Sequence, residues 1–251
     1  MTTALPPEVE SAADRITLPV ERPLALPDAV TGELRRLLAW WQSLGDGTPP
    51  RECVVEPGMG DVPDVSGALL AGLAAADAAV DAGANVVIPR VADRDDSAAR
   101  ALVAALTRTD APAVVPQGEG MSDAAWMAKV AGIRDLSFAL APLRGEPATL
   151  LALLTANSMA FVVGALLGAA ARQTPCIIDG TDELAAAVVA DRVSARAKAW
   201  WICGSQSTDP ARHAAAERVD LSPGLPLALS DDDGLGAEAT LALLRLLTST
   251  G

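Results

Sequence analysis

The chain has 251 residues, of which 51% are hydrophobic and 20% charged, and its formal net charge is −13. This length and composition fit one α/β domain with a sizeable core, or one domain with a small appendage. The negative charge argues against nucleic acid or an anionic membrane surface as a partner, because a polyanion would be repelled, although helix N-termini can still hold a small phosphorylated ligand.

The first 50 residues are predicted to form an arm and one helix, separate from an α/β domain over residues 51–251. Residues 1–28 are rich in proline and predict an extended arm, ordered if it lies on a partner subunit. The segment Gly32–Leu44 has the spacing of an amphipathic helix. Its pair Trp40-Trp41 favours packing over a base-stacking platform.

From Cys53 onwards, short apolar runs alternate with helical patterns. The predicted strands are Cys53–Val55, Ala84–Ile88, Ala113–Val115, Cys176–Ile178, Ala199–Cys203 and Pro226–Leu229. The predicted helices are Val65–Ala82, a helix capped by Asp96 or Ser97 that ends at Thr107, Asp123–Ile133 capped by Ser122, Asp182–Asp191, Pro210–Arg218 and Ala237–Leu247. This alternation predicts an α/β fold with a doubly wound, mostly parallel sheet and helices on both faces.

The stretch from Ala148 to Ala171 carries no charge and is the segment around which the fold is expected to be organised. Such a run is long enough to span a bilayer. Thr155, Asn157 and Ser158 near its middle, and the βα pattern that follows, favour a buried central helix instead. Gly164 and Gly168 would let neighbouring helices approach it closely.

The few cysteine and histidine residues restrict the disulfide, metal-binding and acid–base chemistry open to the chain. Cys53, Cys176 and Cys203 are scattered over three predicted strands, which predicts reduced thiols in a cytoplasmic protein, and no metal-ligand spacing is present. The amino-terminal residues do not have the pattern of a signal peptide. His213 is the one histidine, and its position within a helix favours a structural or solvated role over that of a catalytic base.

Ligands bind at the carboxyl edge of a parallel sheet, so the loops after the strands are the candidate site. The Gly118–Ser122 and Gly204–Ser207 loops could each present backbone N–H groups to a phosphate, or could be only turns followed by helix caps. Neither has the GK[ST] ending of a P-loop.

The same edge is predicted to collect carboxylates. They are Glu119, Asp179, Asp182, Glu183, Asp231, Asp232 and Asp233. Three interpretations remain open: solvated caps, a general base whose pKa is raised by like-charged neighbours, or a Mg²⁺ site with oxygen ligands.

Several segments resemble the nicotinate-nucleotide:dimethylbenzimidazole phosphoribosyltransferases of cobalamin assembly, over about Ala68 to Leu247. VVPQGEGMSDAAWMAKVAGI is similar to the Gly-rich loop and helix of that family, and LLTANSMAFVVGALLGAAARQTPCIIDGTDELAAAVV to its central helix, strand and Asp-Gly turn. WWICGSQSTDPARHAAAE resembles the Gly-His-x-Ser segment, and LALSDDDGLGAEATLALLRLL the catalytic loop and last helix.

The resemblance implies a transfer of phosphoribose from nicotinate mononucleotide to an aromatic base, without metal or cofactor, in a homodimer. Asp233 stands where the family has its catalytic glutamate, one methylene shorter. The residues implied to bind the nucleotide are Gly118, Glu119, Gly120, Asp179, Gly180, Gly204 and Ser205.

The sequence departs from the family pattern at two loops. The Gly-x-Gly-Asn-Thr-Thr phosphate loop is replaced by Arg90–Asp95, where Arg90 or Arg94 could substitute for the lost backbone donors. The Gly-Gly-x-Glu segment is replaced by Thr155–Ser158, and the chain is shorter than familiar members. These departures leave one alternative to the enzyme, an inactive homologue that serves as a ligand-binding or regulatory subunit. The carboxylates at the edge of the sheet leave another, a phosphoryl-handling enzyme that binds Mg²⁺ there.

Overall fold

A computed structural model describes residues 3–45, 47–58, 64–118, 120–229 and 234–249. Its sheet has five strands, all parallel, in the order β1-β2-β3-β4-β5. The strands are β1 Glu52–Val55, β2 Val86–Pro89, β3 Cys176–Ile178, β4 Trp201–Gln206 and β5 Pro223–Ala228. The predicted fold class is therefore confirmed.

Ten helices surround the sheet in the described part of the chain. They are α1 Pro7–Arg15, α2 Gly32–Leu44, α3 Val65–Asp81, α4 Asp96–Thr107, α5 Asp123–Leu140, α6 Pro147–Leu153, α7 Asn157–Ala171, α8 Thr181–Val193, α9 Pro210–Arg218 and α10 Leu235–Ser249. Short 3-10 helices cover Ala111–Val114, Ala141–Leu143 and Ala197–Trp200.

The two faces of the sheet are covered by different parts of the chain. Because the strands follow chain order and parallel crossovers are right-handed, the crossover helices α3, α7, α8 and α9 share one face, with strand residues such as Val87 and Cys176. The alternate strand residues, Val86 and Ile177 among them, pack on the other face against α2 and α10. Both faces of the sheet are thus buried, as the near-continuous apolar strands require.

The N-terminal segment is not wholly extended, which corrects the prediction for residues 1–28. Residues 7–15 form α1, with Pro7 in its first turn, and Val9 and Ile16 join the core on the crossover face. On α2, which the sequence predicted, Trp41 is buried and donates a hydrogen bond from Nε1 to Thr48 O at 2.8 Å. The Trp pair is packing, as predicted.

The uncharged run forms two helices instead of one. Helix α6 ends at Leu153, and Thr155 adopts φ of +50° before α7 begins at Asn157. Neither helix is then long enough to cross a bilayer, and the part of the chain described by the structure contains no helix suited to that role. Helix α7 is the buried central helix, because its residues 159–170 are all buried.

Glycines let α7 and α3 touch backbone to backbone. A Cβ atom built on Gly164 would lie 2.0 Å from Leu69 O, and one on Gly72 would lie 1.9 Å from Phe161 O. A Cβ on Gly168 would meet Ala76 Cβ at 3.1 Å. The role predicted for Gly164 and Gly168 is confirmed, and Gly72 supplies the matching surface on α3.

Three predicted strands need correction, of which Pro226–Leu229 forms instead over Pro223–Ala228. Ala113–Val115 is not a strand, because Ala111–Val114 forms a 3-10 helix that contains Pro112. The predicted strand Ala199–Cys203 starts instead at Trp201 and continues through Gln206, so that Gly204 and Ser205 belong to β4 and not to the loop after it.

The helices begin at or within two residues of the capping residues that the sequence predicted. The Ser122 hydroxyl accepts a hydrogen bond from Ala125 N and caps α5, as predicted, although α5 continues beyond Ile133 to Leu140. Asp95 caps α4, in place of the predicted Asp96 or Ser97.

We predict that Gly164→Ala destabilises the protein by about 3 kcal/mol, the upper end of the usual cost of overpacking, because the new methyl group would overlap backbone atoms that cannot rotate away. Gly132→Ala on α5 is the matched control, since a Cβ there meets nothing within 4 Å and alanine favours a helix by about 0.5–1 kcal/mol. Urea unfolding of both variants tests this prediction. Equal stabilities of the two variants would show that the helices separate easily.

Candidate functional site

A cleft of about 530 Å³ opens at the carboxyl edge of the sheet. Its volume lies within the range of small-molecule sites. Residues from the ends of β1 and β2 line one side, and the turn between α6 and α7 with the first turn of α7 lines the other. The cleft therefore joins the two loops where the sequence departs from the family pattern, Arg90–Asp95 and Thr155–Ser158.

The amino end of α7 provides backbone donors to this cleft. Its N-cap residue, Ala156, has no side chain that can accept a hydrogen bond. The N–H groups of Ser158 and Met159, in the first turn, have no acceptor within the helix, and both residues line the cleft. This end of the central helix also carries the positive end of the helix dipole.

The predicted binding residue Arg94 lines the same cleft. Its Nη1 lies 3.9 Å from Glu183 Oε2, and its side chain is 37% exposed. Arg90 lies elsewhere on the edge, where its Nη2 is 3.5 Å from Glu238 Oε1 on α10 and its guanidinium packs on Gly234, which has φ of +73°. Arg94, and not Arg90, thus faces the cleft.

Two buried carboxylates bind the backbone of the loop after β2. Glu183 Oε1 accepts from Val91 N at 3.1 Å, and Asp182 Oδ1 accepts from Asp95 N at 3.0 Å. Burial raises the pKa of both carboxyl groups above its ordinary value, against the opposing effect of these hydrogen bonds and of Arg94. The Glu183 carboxylate lies over Gly180, where φ is +127° and a Cβ would come within 1.9 Å of Glu183 Oε2.

Asp179, at the end of the central strand, is held by a buried ion pair. Its Oδ1 accepts a hydrogen bond from Arg212 Nη2 on α9, and its Oδ2 accepts from Ala237 N at 3.2 Å. A Cβ on Gly236 would lie 2.4 Å from Ser205 Oγ and 2.9 Å from Asp179 Oδ1. Asp179 and Ser205 therefore lie beneath the start of α10, and Asp179 acts there as a structural link.

Gly204 also allows β4 to lie close to α10. A Cβ at this position would lie 2.6 Å from Ala237 N. Thr240 donates its hydroxyl to Gly204 O at 2.5 Å. The glycine thus allows contact with protein backbone, and its expected contact with a nucleotide stays a prediction.

Four further residues predicted for the site lie away from the cleft or outside the described residues. Gly118 and Gly120 form a turn before α5, with Met121 N donating to Gly118 O at 3.1 Å, and neither lines the cleft. Glu119 and the predicted base Asp233 lie outside the described residues. Residues 231 and 232 of the acidic loop lie outside them as well.

Arg100 and Asp209 form a second buried ion pair that sequence reasoning missed. The guanidinium of Arg100, on α4, donates to both Asp209 oxygens at 2.9 and 2.6 Å. Burial works to raise the pKa of Asp209, but its hydrogen bonds and the charge of Arg100 outweigh this and hold that pKa below its ordinary value. Asp209 also caps α9 through Ala211 N and Arg212 N, so the pair fixes the helix that supplies Arg212.

The cysteines, the histidine and the carboxylates differ in how far they could take part in chemistry. All three cysteines are free, and burial raises the pKa of Cys203 to about 12, so this thiol stays protonated. His213 is exposed on α9 and does not line the large cleft. Within the described ranges, no group of three or more His, Cys, Asp or Glu residues has the arrangement of a metal site.

Comparison with known proteins identifies similar sequences and folds. A family model described as "Phosphoribosyltransferase" matches residues 42–249. A nicotinate-nucleotide–dimethylbenzimidazole phosphoribosyltransferase of Mycobacterium ulcerans is 38% identical over 179 residues, which cover 71% of this chain and 50% of that protein. The enzyme of the same name from Corynebacterium glutamicum is 34% identical over 212 residues, covering 82% and 58%.

A crystal structure of the nicotinate-nucleotide–dimethylbenzimidazole phosphoribosyltransferase from Thermus thermophilus superposes with a TM-score of 0.71. The superposition covers 97% of this chain and 95% of that chain, at 21% identity, and therefore shows the fold. The chain spans about half the length of the curated relatives that it matches.

We predict that the free energy of unfolding of Glu183→Gln increases relative to that of the wild type as the pH rises from about 4 to 8. A carboxyl with a raised folded pKa favours the folded state below the unfolded pKa, and this contribution is lost as the pH rises through the folded pKa. The amide keeps an oxygen for Val91 N and removes the titration. Thermal unfolding of both proteins across this range measures the effect.

Glu10→Gln is the charge-matched control for that series, because Glu10 lies exposed on α1. A melting-temperature difference between Glu183→Gln and wild type that does not change with pH would contradict the role of burial at Glu183.

Proposed function

The chain belongs to the phosphoribosyltransferase family whose model matches residues 42–249, and we propose that it transfers phosphoribose from nicotinate mononucleotide to an aromatic base such as 5,6-dimethylbenzimidazole. A ring nitrogen of the base attacks the anomeric carbon, the bond from that carbon to nicotinate breaks, and the base loses a proton. The names of the relatives in Mycobacterium ulcerans and Corynebacterium glutamicum support these substrates.

The observation that carries this proposal is the cleft between the loop after β2 and the amino end of α7. A phosphate monoester needs hydrogen-bond donors and positive charge. The N–H groups of Ser158 and Met159 and the guanidinium of Arg94 are donors of this kind, and all three residues line the cleft. We therefore assign the phosphate of the donor to this end of the cleft.

Asp233 is the proposed base that removes the proton from the attacking nitrogen. The residues that follow it support this role, because Gly234 packs on Arg90 and Ala237 N donates to Asp179 at the carboxyl edge. Since aspartate is one methylene shorter than glutamate, we expect a modest turnover.

The three free cysteines support a cytoplasmic location, because that compartment keeps thiols reduced. Gly118, Glu119, Gly120, Gly180, Gly204 and Ser205 remain predicted contacts to the substrates, as does Asp179 beyond its ion pair.

A product assay tests the proposed reaction. Purified protein is incubated with nicotinate mononucleotide and dimethylbenzimidazole, and α-ribazole phosphate is followed by chromatography. We expect Asp233→Ala to lower kcat by at least about 100-fold, as for loss of a general base. We expect Arg94→Ala to raise the KM for nicotinate mononucleotide by about 10-fold or more, as for loss of a charged hydrogen bond.

Arg15→Ala, on the exposed side of α1, is the control for the arginine substitution. A wild-type protein that forms no product would contradict the proposed reaction. Product formation that Asp233→Ala leaves unchanged would contradict only the assignment of the base.

We further infer a homodimer that uses the outer face of α5. This helix carries apolar residues on two sides: Ile133 and Leu140 are buried, while Met127 and Phe138 are 58% and 69% exposed. Met127, Ala131 and Phe138 share one helical stripe with the exposed Arg134, and a second copy of the chain would cover this stripe.

We predict that Phe138→Asp shifts the protein from dimer to monomer in sedimentation equilibrium, because a charge on the stripe opposes burial. Leu246→Asp on α10 is the matched control, since Leu246 is 59% exposed on another helix. A wild-type protein that sediments at 25.6 kDa would contradict the dimer.

A further inference from the structure

The two sides of the cleft differ in charge. One side is the amino end of α7, with backbone donors and the positive end of the helix dipole. The other is the loop after β2, which contributes Asp93, Arg94 and Asp95. A ligand that fills the cleft therefore meets backbone donors on one side, and on the other side carboxylates together with the Arg94 guanidinium.

Most carboxylates near this loop already have partners in the protein. Asp95 Oδ1 accepts from Ala98 N at 3.0 Å as the cap of α4. Asp182 and Glu183 accept from the loop backbone. The carboxylate of Asp93, in contrast, forms no hydrogen bond or ion pair with any residue that the structure describes, and its side chain is exposed at the cleft.

The backbone of Asp93 is held close to α7. Its N–H group donates to Ser158 Oγ at 3.4 Å, which joins the two sides of the cleft. The neighbouring loop residues Val91 and Asp95 are bound by buried carboxylates, so the loop cannot easily move away. Asp93 is thus a fixed residue whose acceptor oxygens remain available to a ligand.

We propose that Asp93 binds the vicinal hydroxyl groups of the ribose of the donor. This inference rests on the proposed function. Ribose 5-phosphate has an anionic end and a neutral end with two hydroxyl donors, and an ionised carboxylate can accept from both hydroxyls while it repels phosphate. The phosphate then binds at α7 and Arg94, the sugar hydroxyls bind Asp93, and the donor cannot enter the cleft reversed.

The consequence is selectivity for a ribose over a deoxyribose donor. A hydrogen bond to a charged group contributes about 1.5–3 kcal/mol, or roughly 10- to 100-fold in kcat/KM. Asp93→Ala should lower kcat/KM for nicotinate mononucleotide by this factor. It should lower kcat/KM for the 2′-deoxy and 3′-deoxy analogues by a smaller factor, because one of the two hydrogen bonds to Asp93 is already absent in each of them.

The experiment measures kcat/KM for nicotinate mononucleotide and its 2′-deoxy and 3′-deoxy analogues, with wild type, Asp93→Ala, Asp93→Asn and Asp110→Asn. Comparison between variants cancels the different intrinsic reactivity of the deoxy donors. Asp110→Asn removes the same charge from an exposed position outside the cleft and should leave all three values unchanged. Isothermal titration of the same ligands gives the corresponding ratios of Kd.

Equal losses for all three donors in Asp93→Ala would overturn the assignment of Asp93 and leave the transferase activity standing. A wild-type protein that neither turns over nor binds any of the donors would overturn the proposed function, and this inference with it. A larger decrease in kcat/KM for nicotinate mononucleotide than for either deoxy analogue, with an unchanged melting temperature, is the expected result.

Discussion

The close contact between α3 and α7 is the constraint on which the rest of the structure depends. The backbones of the two helices touch at Gly72 and Gly164, and a single added methyl group at either position would overlap a carbonyl oxygen. Helix α7 is therefore buried on every side, which explains why its sequence has no charge. Its amino end can only emerge at the carboxyl edge of the sheet, where it faces the cleft.

Charge at that edge serves two different purposes. Two buried pairs, Asp179–Arg212 and Arg100–Asp209, connect strand β3 and helix α4 to α9. Because breaking one partner of such a pair leaves a buried charge, these residues hold the elements together. Arg94 and Asp93 line the cleft, and they are the groups available to a ligand there.

Elements that begin with a capping residue and proline, or that consist of a short apolar run bounded by turn residues, were predicted from the local sequence. The pair Asp209-Pro210 predicted the start of α9 correctly. The apolar run Cys176–Ile178 predicted β3 with the observed bounds. The break before α7 has no such signal, because Thr155 adopts its positive φ without a nearby glycine or proline. Ala113–Val115 was misassigned since an apolar run of three residues does not distinguish a strand from a 3-10 turn, although Pro112 argues for a turn.

The site was harder to predict from the sequence, because it depends on contacts between residues that are distant in the chain. Arg212 stands in an alanine-rich helical pattern, and only the fold brings it to Asp179, 33 residues earlier in the chain. Arg94 was predicted as a substitute for lost backbone donors, and the structure places it in the cleft. The carboxylate of Asp93, which has no partner among the described residues, could be recognised only after the partners of its neighbours were known.

A crystal structure of the protein with bound nicotinate mononucleotide would test the central claim most directly. The account predicts that the phosphate lies within hydrogen-bond distance of the Ser158 or Met159 N–H group and of the Arg94 guanidinium. A phosphate bound elsewhere, for example at the Gly118–Ser122 turn, would contradict the assignment of the cleft between α7 and the loop after β2.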